Sequence, residues 1–182
     1  DVGNAHAASQ STAALGVEIH AEAYAYTSND YLNNTTFYQY KIINKCSNVY
    51  SNVYLGNWVD PDLGFAVDDY VGCDVGRNLG YCYNGDPFDE GSFGYGANPP
   101  VVGTCILQGP IAPANDGIDN DHDGTIDEVC EQVLMSSFMF YHNVNNQPNG
   151  NPDGPIHHYN YLKATWGDGL HCTYGNDGRN PA

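Results

Sequence analysis

The acidic segment between Asp60 and Glu131 constrains the fold of this chain more than any other feature. It holds fifteen of the 22 acidic residues of the 182-residue sequence, and Arg77 is its only Lys or Arg. So many carboxylates in one segment repel one another unless something neutralises them. Because aromatic and cysteine residues are interleaved with the acids, we expect folded loops that bind divalent cations. Calcium prefers oxygen ligands and tolerates irregular loops, so it is the expected ion.

The sharpest motif in this segment ends at Glu128. Three aspartates stand at alternate positions in it, so their carboxylates can converge on one ion, and the glycine after the third permits a tight turn. In an EF-hand loop the last ligand is a Glu at position 12, and the corresponding residue in this loop is Cys130. The last ligand must therefore be Asp127 or Glu128, which come earlier in the loop. An ordinary solvated acidic turn is the alternative. The predicted calcium ligands are Asp116, Asp119, Asp121, Asp123, Thr125, Asp127 and Glu128.

This motif resembles known calcium-binding loops. The run from Asp119 to Glu128 is similar to the DxDxDGxxDE loops of dockerins and thrombospondin type 3 repeats. The longer run from Asp116 is similar to the DGxDNDxDGxxDE metal-binding motif of secreted bacterial proteins. The resemblance implies bound calcium, and it implies no activity.

A second acidic set lies between Trp58 and Asp74. Its first two aspartates flank a proline, and a loop that folds back on itself would bring all five to bound calcium. Ordinary turn-forming aspartates explain the pattern equally well. The residues of this set are Asp60, Asp62, Asp68, Asp69 and Asp74. A third group, which follows the Asn84-Gly85 turn, consists of Asp86, Asp89 and Glu90.

Six cysteines without CxxC spacing do not support a zinc site. Their even number, the calcium-type loops and the low lysine content favour an oxidising, extracellular compartment. We expect a disulfide between Cys73 and Cys82, because the turn-rich segment between them closes easily. Buried free thiols are the alternative. The pairing of the remaining cysteines is left open by the sequence: Cys46, Cys105, Cys130 and Cys172.

Hydrophobic alternation predicts several β-strands. Residues 17–26 alternate strictly, and residues 37–44 are rich in Tyr and Ile after a polar turn, so we expect an antiparallel pair. Further strands are predicted over residues 50–59 and 133–143, and one short helix over residues 157–166. Residues 60–131 are predicted to be mostly loop. The predicted fold class is all-β, an antiparallel β-sandwich or jelly-roll with long calcium- and disulfide-braced loops.

The first sixteen residues differ from the rest of the chain. After Asp1 there is no Asp, Glu, Lys or Arg until Glu18, and most side chains in between are small. We interpret residues 1–16 as an extended arm that adds a strand to a neighbouring subunit, with a disordered terminus as the alternative. Residues 17–182 are then a single β-sandwich domain with an acidic loop insertion at 60–131.

The chain also resembles a domain of large secreted bacterial surface proteins exported by the type IX route. The similarity spans roughly residues 17–176 and is carried by the runs NNTTFYQYKIIN, WVDPDLG, DDYVGCDVGRNLGYCYNGDPFDEG and NDGIDNDHDGTIDE. This resemblance implies an extracellular or cell-surface location, and it supplies no activity.

Composition excludes several classes of partner. Only 5 Lys and Arg residues and a net charge of −17 leave no basic cluster to neutralise phosphates, so we expect no nucleic-acid partner. No apolar run approaches the roughly 20 residues of a membrane span, so we expect no membrane insertion. The chain contains no GxSxG, HExxH or phosphate-binding glycine loop, and we expect that it is not an enzyme.

These features predict an extracellular structural protein, a calcium-stabilised subunit of a surface fibre or filament. In this hypothesis the N-terminal arm donates a strand to another copy of the chain. The alternative is a calcium-dependent carbohydrate-binding or adhesion module, in which tyrosines and the tryptophans Trp58 and Trp166 stack on sugars. Overlapping N-x-T sequons at Asn33 and Asn34 mark a glycosylation site or a plain polar turn.

Overall fold

Residues 14–145 and 148–173 are described by the structure, a computed structural model. The chain divides into two units, Asp1–Val53 and Tyr54–Ala182. The predicted N-terminal arm lies outside the described residues except for its last three. The prediction of a single domain over residues 17–182 stays a prediction. The described part contains one helix, α1 (Pro155–Leu162), and the strands β1 (Val17–Ala25), β2 (Thr36–Asn44), β3 (Asp69–Asp74), β4 (Leu79–Asn84), β5 (Phe88–Asp89), β6 (Gly96–Ala97) and β7 (Val101–Cys105).

The first unit is a β-hairpin. β1 and β2 pair antiparallel from Val17 opposite Asn44 to Ala25 opposite Thr36. The connection contains a 3-10 turn, Tyr31–Asn34, which begins where the Asp30 carboxylate accepts a hydrogen bond from the Leu32 amide at 2.9 Å. The first two predicted strands and their antiparallel pairing are therefore confirmed.

The described part of the second unit contains two small antiparallel sheets. One has the strand order β3-β4-β7, and the other pairs β5 with β6. The Asp74 carboxylate caps the 3-10 turn Val75–Arg77 between β3 and β4, and Asn78 follows in the left-handed conformation with φ 53°. Most of residues 60–131 lie outside strands, as predicted, but the segment also holds five short strands that the sequence analysis did not predict.

Two predicted strands do not form. Residues 50–59 and 133–143 contain no strand, although both are rich in residues that favour β-structure. A strand needs a neighbour for its backbone groups, and in the later segment these groups bond elsewhere. The Leu134 amide donates to the carbonyl of Asn120 at 3.1 Å, and the Met135 amide donates to the Asn78 side chain at 3.0 Å. Within the described residues, the only β-pairing next to this segment is an isolated bridge between Ile111 and Gln132.

The helix begins earlier than predicted. It covers Pro155–Leu162 rather than residues 157–166, because proline suits the first helical turn, where its missing N–H is not needed. The chain leaves the helical conformation soon afterwards, and Ala164 has φ 54°. No helix in the described residues has the length and apolar character to cross a membrane.

The buried apolar core of the described residues is small. Four apolar side chains are buried there, namely Leu63, Cys82, Met135 and Trp166. Because a domain is stabilised mainly by burial of apolar surface, other interactions must contribute much of the order in this chain.

The structure is mostly β-strands in small antiparallel sheets, which agrees with the all-β prediction. A sandwich or jelly-roll arrangement is not confirmed. The expected disulfide bracing is not confirmed either, because all six cysteines are free thiols. Cys73 lies opposite Gly80, and Cys82 lies opposite Val71. The two cysteines are therefore diagonal neighbours, typically about 7–8 Å apart, whereas disulfides usually need Cα atoms closer than about 6.8 Å.

Candidate metal centre

The calcium-type motif lies in a loop whose two ends are joined by backbone hydrogen bonds. The Ala112 amide donates to the carbonyl of Glu131 at 2.8 Å, and the Val133 amide donates to the carbonyl of Pro110 at 2.8 Å. These bonds flank the bridge between Ile111 and Gln132. We call residues 110–133 the acidic loop.

Two of the predicted ligands hold turns of the acidic loop. The Asp116 carboxylate accepts hydrogen bonds from the Ile118 amide at 3.0 Å and from the side chain of Asn120 at 3.2 and 3.3 Å. The Asp127 carboxylate accepts from the Gly117 amide at 3.2 and 3.3 Å. Neither carboxylate belongs to a group of converging ligand atoms among the described residues.

Three aspartates at alternate positions converge, as the motif predicts. Oxygen atoms of Asp119, Asp121 and Asp123 all lie within 4.8 Å of one another. Two ligands on opposite sides of a calcium ion are about 4.8 Å apart, since each Ca–O bond is about 2.4 Å long. All three oxygens can therefore contact one ion. The Gly124 amide donates to Asp119 at 3.0 Å, and φ of 98° at Gly124 turns the chain back over the carboxylates.

The remaining predicted ligands differ in their positions. Glu128 belongs to a second converging group, described below. The Thr125 amide donates to the Asp123 carboxylate at 2.8 Å, which holds that side chain in place. The structure thus brings four of the seven predicted ligands together, and the carboxylates of Asp116 and Asp127 hold turns instead. The predicted ligand role of the Thr125 carbonyl stays a prediction.

A ligand that the sequence analysis missed completes the second group. Asp121, Glu128 and Glu131 place oxygens within 4.8 Å of one another, and Asp121 belongs to both groups. Glu131 is 4% exposed and accepts a hydrogen bond from the Asn120 amide. It lies one residue beyond the position where an EF-hand places its closing Glu. Cys130, at that position, has φ 68°, and this left-handed residue turns the chain next to Glu131.

Two oxygens of these groups are shielded from solvent and lack a hydrogen-bond donor. They are Oδ1 of Asp119 and Oε2 of Glu128. Buried polar atoms in proteins nearly always have a partner, and a carboxylate oxygen can take only a donor or a cation. Arg77, the one Lys or Arg of the acidic segment, is paired with Asp74. The donor set consists of carboxylates, which suits a hard divalent cation such as calcium.

Repulsion within the second group shifts the titration of Glu128. A hydrogen bond from its own amide lowers the pKa, but desolvation and the charges of Glu131, Asp121 and Asp123 together outweigh it. The pKa of Glu128 therefore lies above its usual value. In the ion-free protein the folded state binds a proton at this position more tightly than the unfolded state does.

We expect a pH dependence that follows from this shift. The raised pKa contributes stability below the unfolded-state pKa of Glu128, and this contribution is lost as the pH rises through the folded-state pKa. In chelator, Glu128→Gln should therefore reduce the loss of stability between pH 4 and pH 7, as measured by thermal unfolding. Glu22→Gln, at an exposed carboxylate of β1, is the control. An unchanged pH profile in Glu128→Gln would contradict the expected repulsion.

The second acidic set is only partly brought together. Asp74 caps a turn and pairs with Arg77 at the far end of the β3–β4 hairpin, and Asp60 is exposed before the sheet begins. Asp62 and Asp68 lie nearer to Asp69, and their charges add to the desolvation that raises the pKa of Asp69. The five aspartates therefore do not form one site.

The third acidic group has structural hydrogen bonds. Asp89 is 2% exposed, and its two oxygens accept from the amides of Phe65 at 2.9 Å and Tyr95 at 2.7 Å. Asp86 accepts from the Phe88 amide at 2.8 Å. Glu90, which is exposed, contacts the side chain of Asp68.

The predicted glycosylation positions are accessible. Asn33 and Asn34 end the 3-10 turn Tyr31–Asn34, and both are exposed. Their modification stays a prediction.

Comparison of this chain with models of protein families, with curated proteins and with solved structures finds no match.

Proposed function

We propose that this chain is an extracellular structural protein, a calcium-stabilised subunit of a surface fibre or filament. Copies assemble through the N-terminal arm, residues 1–16, which adds a strand to the hairpin of the next copy. One observation carries the proposal, namely an exposed apolar face on the β1–β2 hairpin, directly after the arm.

The two faces of the hairpin differ sharply in polarity. Because residues alternate between faces, the register places the apolar side chains of β1 and β2 together. Ile19 is 57% exposed, Ile42 47%, Tyr40 63% and Tyr38 65%. We call this surface the apolar face; its members are Val17, Ile19, Ala21, Ala23, Ala25, Thr36, Tyr38, Tyr40, Ile42 and Asn44.

The opposite face of the hairpin is mostly polar. It carries an ion pair between Glu18 and Lys45 at 3.4 Å, and Tyr24 stacks on Phe37 at its far end with ring centroids 5.3 Å apart. A strand pair that is polar on one face and apolar on the other is typical of a sheet packed on one side. The exposed apolar face therefore favours a partner layer, and a sheet laid on it would create the proposed sandwich.

The edges of the hairpin favour strand addition. Within the described residues, β1 pairs only with β2 and β2 only with β1, so each strand has one open edge. A two-stranded hairpin is marginally stable alone, whereas three or more strands with an apolar face are stable. The Lys45 amide donates to the carbonyl of Gly16 at 3.0 Å, so the last residue of the arm bonds to the chain just beyond β2. An added strand from another copy is a head-to-tail contact, which generates an open filament.

Deleting residues 1–16 tests the proposal. The full chain in calcium should have a polydisperse mass far above 19.8 kDa by light scattering, and the deleted chain should be a folded monomer. The deletion leaves β1, β2 and the second unit intact, so circular dichroism should change little. Assembly that persists without the arm, or a full chain that is monomeric, would overturn the proposal.

A matched pair of substitutions separates the two faces. Tyr40→Lys places a charge on the apolar face and should lower the assembled mass at least tenfold. Gln39→Lys places the same charge on the polar face and should leave assembly unchanged. Equal effects of the two variants would show that net charge, and not the apolar face, controls association.

Carbohydrate binding is the second candidate, and one observation favours it. Trp58 is 66% exposed, and its Nε1 donates to the Tyr141 hydroxyl at 2.7 Å, which holds the indole ring in one orientation. A held, exposed aromatic ring suits stacking against a sugar. A glycan array would test it, with binding lost in Trp58→Ala.

A further inference from the structure

We propose that the second unit contains a second site for a hard divalent cation of the calcium class, separate from the acidic loop. Its ligands are oxygens of Asp68, Asp69 and Asn84 at the open end of the β3–β4 hairpin, with Glu90 beside them. We call this the hairpin site. It includes Asn84 and excludes Asp60, Asp62 and Asp74, so it differs from the second acidic set in the sequence.

The sheet register places Asp69 and Asn84 side by side. They are directly opposite each other in the β3–β4 pair, so both side chains stand on the same face. The next pair outward is hydrogen-bonded, because the Gly85 amide donates to the carbonyl of Asp68 at 2.9 Å. Asp69 and Asn84 are then a non-hydrogen-bonded pair, the kind whose side chains approach most closely.

The orientation of the Asn84 amide group is determined by its partners. Its Nδ2 donates to the carbonyls of Asp86 at 3.0 Å and Phe88 at 3.2 Å. Two carbonyl acceptors require the nitrogen on that side, so Oδ1 occupies the other side. Asn84 is 7% exposed, and its Oδ1 is shielded from solvent without a hydrogen-bond donor. A buried carbonyl oxygen of this kind requires a partner.

The neighbouring carboxylates of Asp68 and Asp69 also have an oxygen without a hydrogen-bond donor. Oδ2 of Asp69 accepts from the Leu63 amide at 3.0 Å, but Oδ1 is shielded and has no donor. Oδ1 of Asp68 is likewise shielded and without a donor. Three shielded oxygens on residues adjacent along or across the hairpin lack donors, and a cation bound by all three would satisfy them.

Several carboxylates lie near these oxygens and act on one another. Burial raises the pKa of Asp69, the Leu63 amide lowers it, and the charges of Asp68, Asp89 and Asp62 raise it further, with a net upward shift. Desolvation is also the largest cause of the raised pKa of Glu90, followed by its contact with Asp68. Two carboxyl groups in contact require a proton or a cation between them.

The ligand chemistry selects the class of ion. Carboxylate and carboxamide oxygens are ligands of calcium, which accepts irregular geometry, whereas magnesium demands a near-ideal octahedron. Asp89 is not counted among the ligands, since each of its oxygens already accepts a backbone amide hydrogen bond. Its negative charge acts on Asp69.

Counting bound calcium tests the hairpin site. The probe is calcium chloride, titrated into chelator-treated full chain by isothermal calorimetry. Asp68→Asn with Asp69→Asn should remove one class of bound calcium and leave the class of the acidic loop. Asn at position 69 keeps an oxygen for the Leu63 amide, so the fold is expected to survive. Asp86→Asn is the matched control, because the Asp86 carboxylate only accepts a hydrogen bond from the Phe88 amide. This variant should keep both classes of bound calcium.

The reciprocal variant gives an independent result. Asp121→Asn with Asp123→Asn disables the acidic loop, and this protein should still bind one calcium ion per chain at the hairpin site. No calcium binding in this variant, or unchanged binding in the Asp68 and Asp69 variant, would overturn the proposal. The second result would mean that a proton on Asp69, donated to Oδ1 of Asn84, satisfies the pair instead. Neither result depends on whether the chain assembles into filaments.

Discussion

Replacing Asp121 and Asp123 by Asn should lower the thermal midpoint of the second unit in calcium and reduce the difference between calcium and chelator to the part that the hairpin site contributes. Asp121 contributes to both converging groups of the acidic loop, so its loss weakens every contact to an ion there. A ligand at 100 times its dissociation constant stabilises a protein by about 2.7 kcal/mol. For a chain of this size, this corresponds to a fall of about 5–10 °C in the midpoint.

The control for this experiment is Asp116→Asn. The motif predicts Asp116 as a ligand, but in the structure its carboxylate accepts hydrogen bonds within a turn. Asn retains an oxygen acceptor, so this variant should keep the calcium response. Differential scanning calorimetry of the three proteins, each with calcium and with chelator, makes the comparison. If wild type and Asp121→Asn/Asp123→Asn unfold alike with and without calcium, no ion stabilises the acidic loop.

Trp166→Ala should destabilise the second unit more than any other single truncation of a side chain. Trp166 is 0% exposed and packs edge-on against Phe140, with ring centroids 6.2 Å apart at 82°. Removing a fully buried tryptophan costs about 3–5 kcal/mol, through lost transfer energy and the cavity that remains. Because only four apolar side chains are buried in the described residues, few other contacts can compensate.

Trp58→Ala is the matched control for this truncation. Its ring is 66% exposed and makes one hydrogen bond, to Tyr141, so its loss should cost only about 0.5–1.5 kcal/mol. Urea unfolding followed by far-UV circular dichroism measures both, because this signal comes from the backbone and not from the tryptophan that each variant lacks. Similar midpoints for the two variants would contradict a core centred on Trp166.

The hairpin of the first unit was predictable because its signal is local. Strict alternation over residues 17–25 places the small and aliphatic side chains of β1 on one face, and β2 supplies the matching tyrosines and isoleucines. A polar turn separates the two runs. Strand type and pairing therefore follow from periodicity within thirty consecutive residues.

The sheet of the second unit was missed because its pairs are specific to the tertiary structure. Gly72 weakens a strand by itself, but it lies opposite Tyr81, and a Cβ at Gly72 would lie 2.6 Å from the tyrosine ring. The ring thus occupies the space above the glycine. Residues 50–59 and 133–143 show the reverse, since their composition favours strands but no neighbouring strand pairs with them in the described residues.

The sequence alone determined the spacing of Asp119, Asp121 and Asp123, because alternate residues of one short loop are close in any fold of that loop. It also determined the excess of negative charge that calls for cations. Only the tertiary structure decided which other oxygens join them. A left-handed residue at position 130 turns the chain next to Glu131, and the β3–β4 register places Asn84 beside Asp69. Backbone turns and strand registers depend on long-range packing. Which residues distant in sequence become ligands of the same site therefore depends on the tertiary structure.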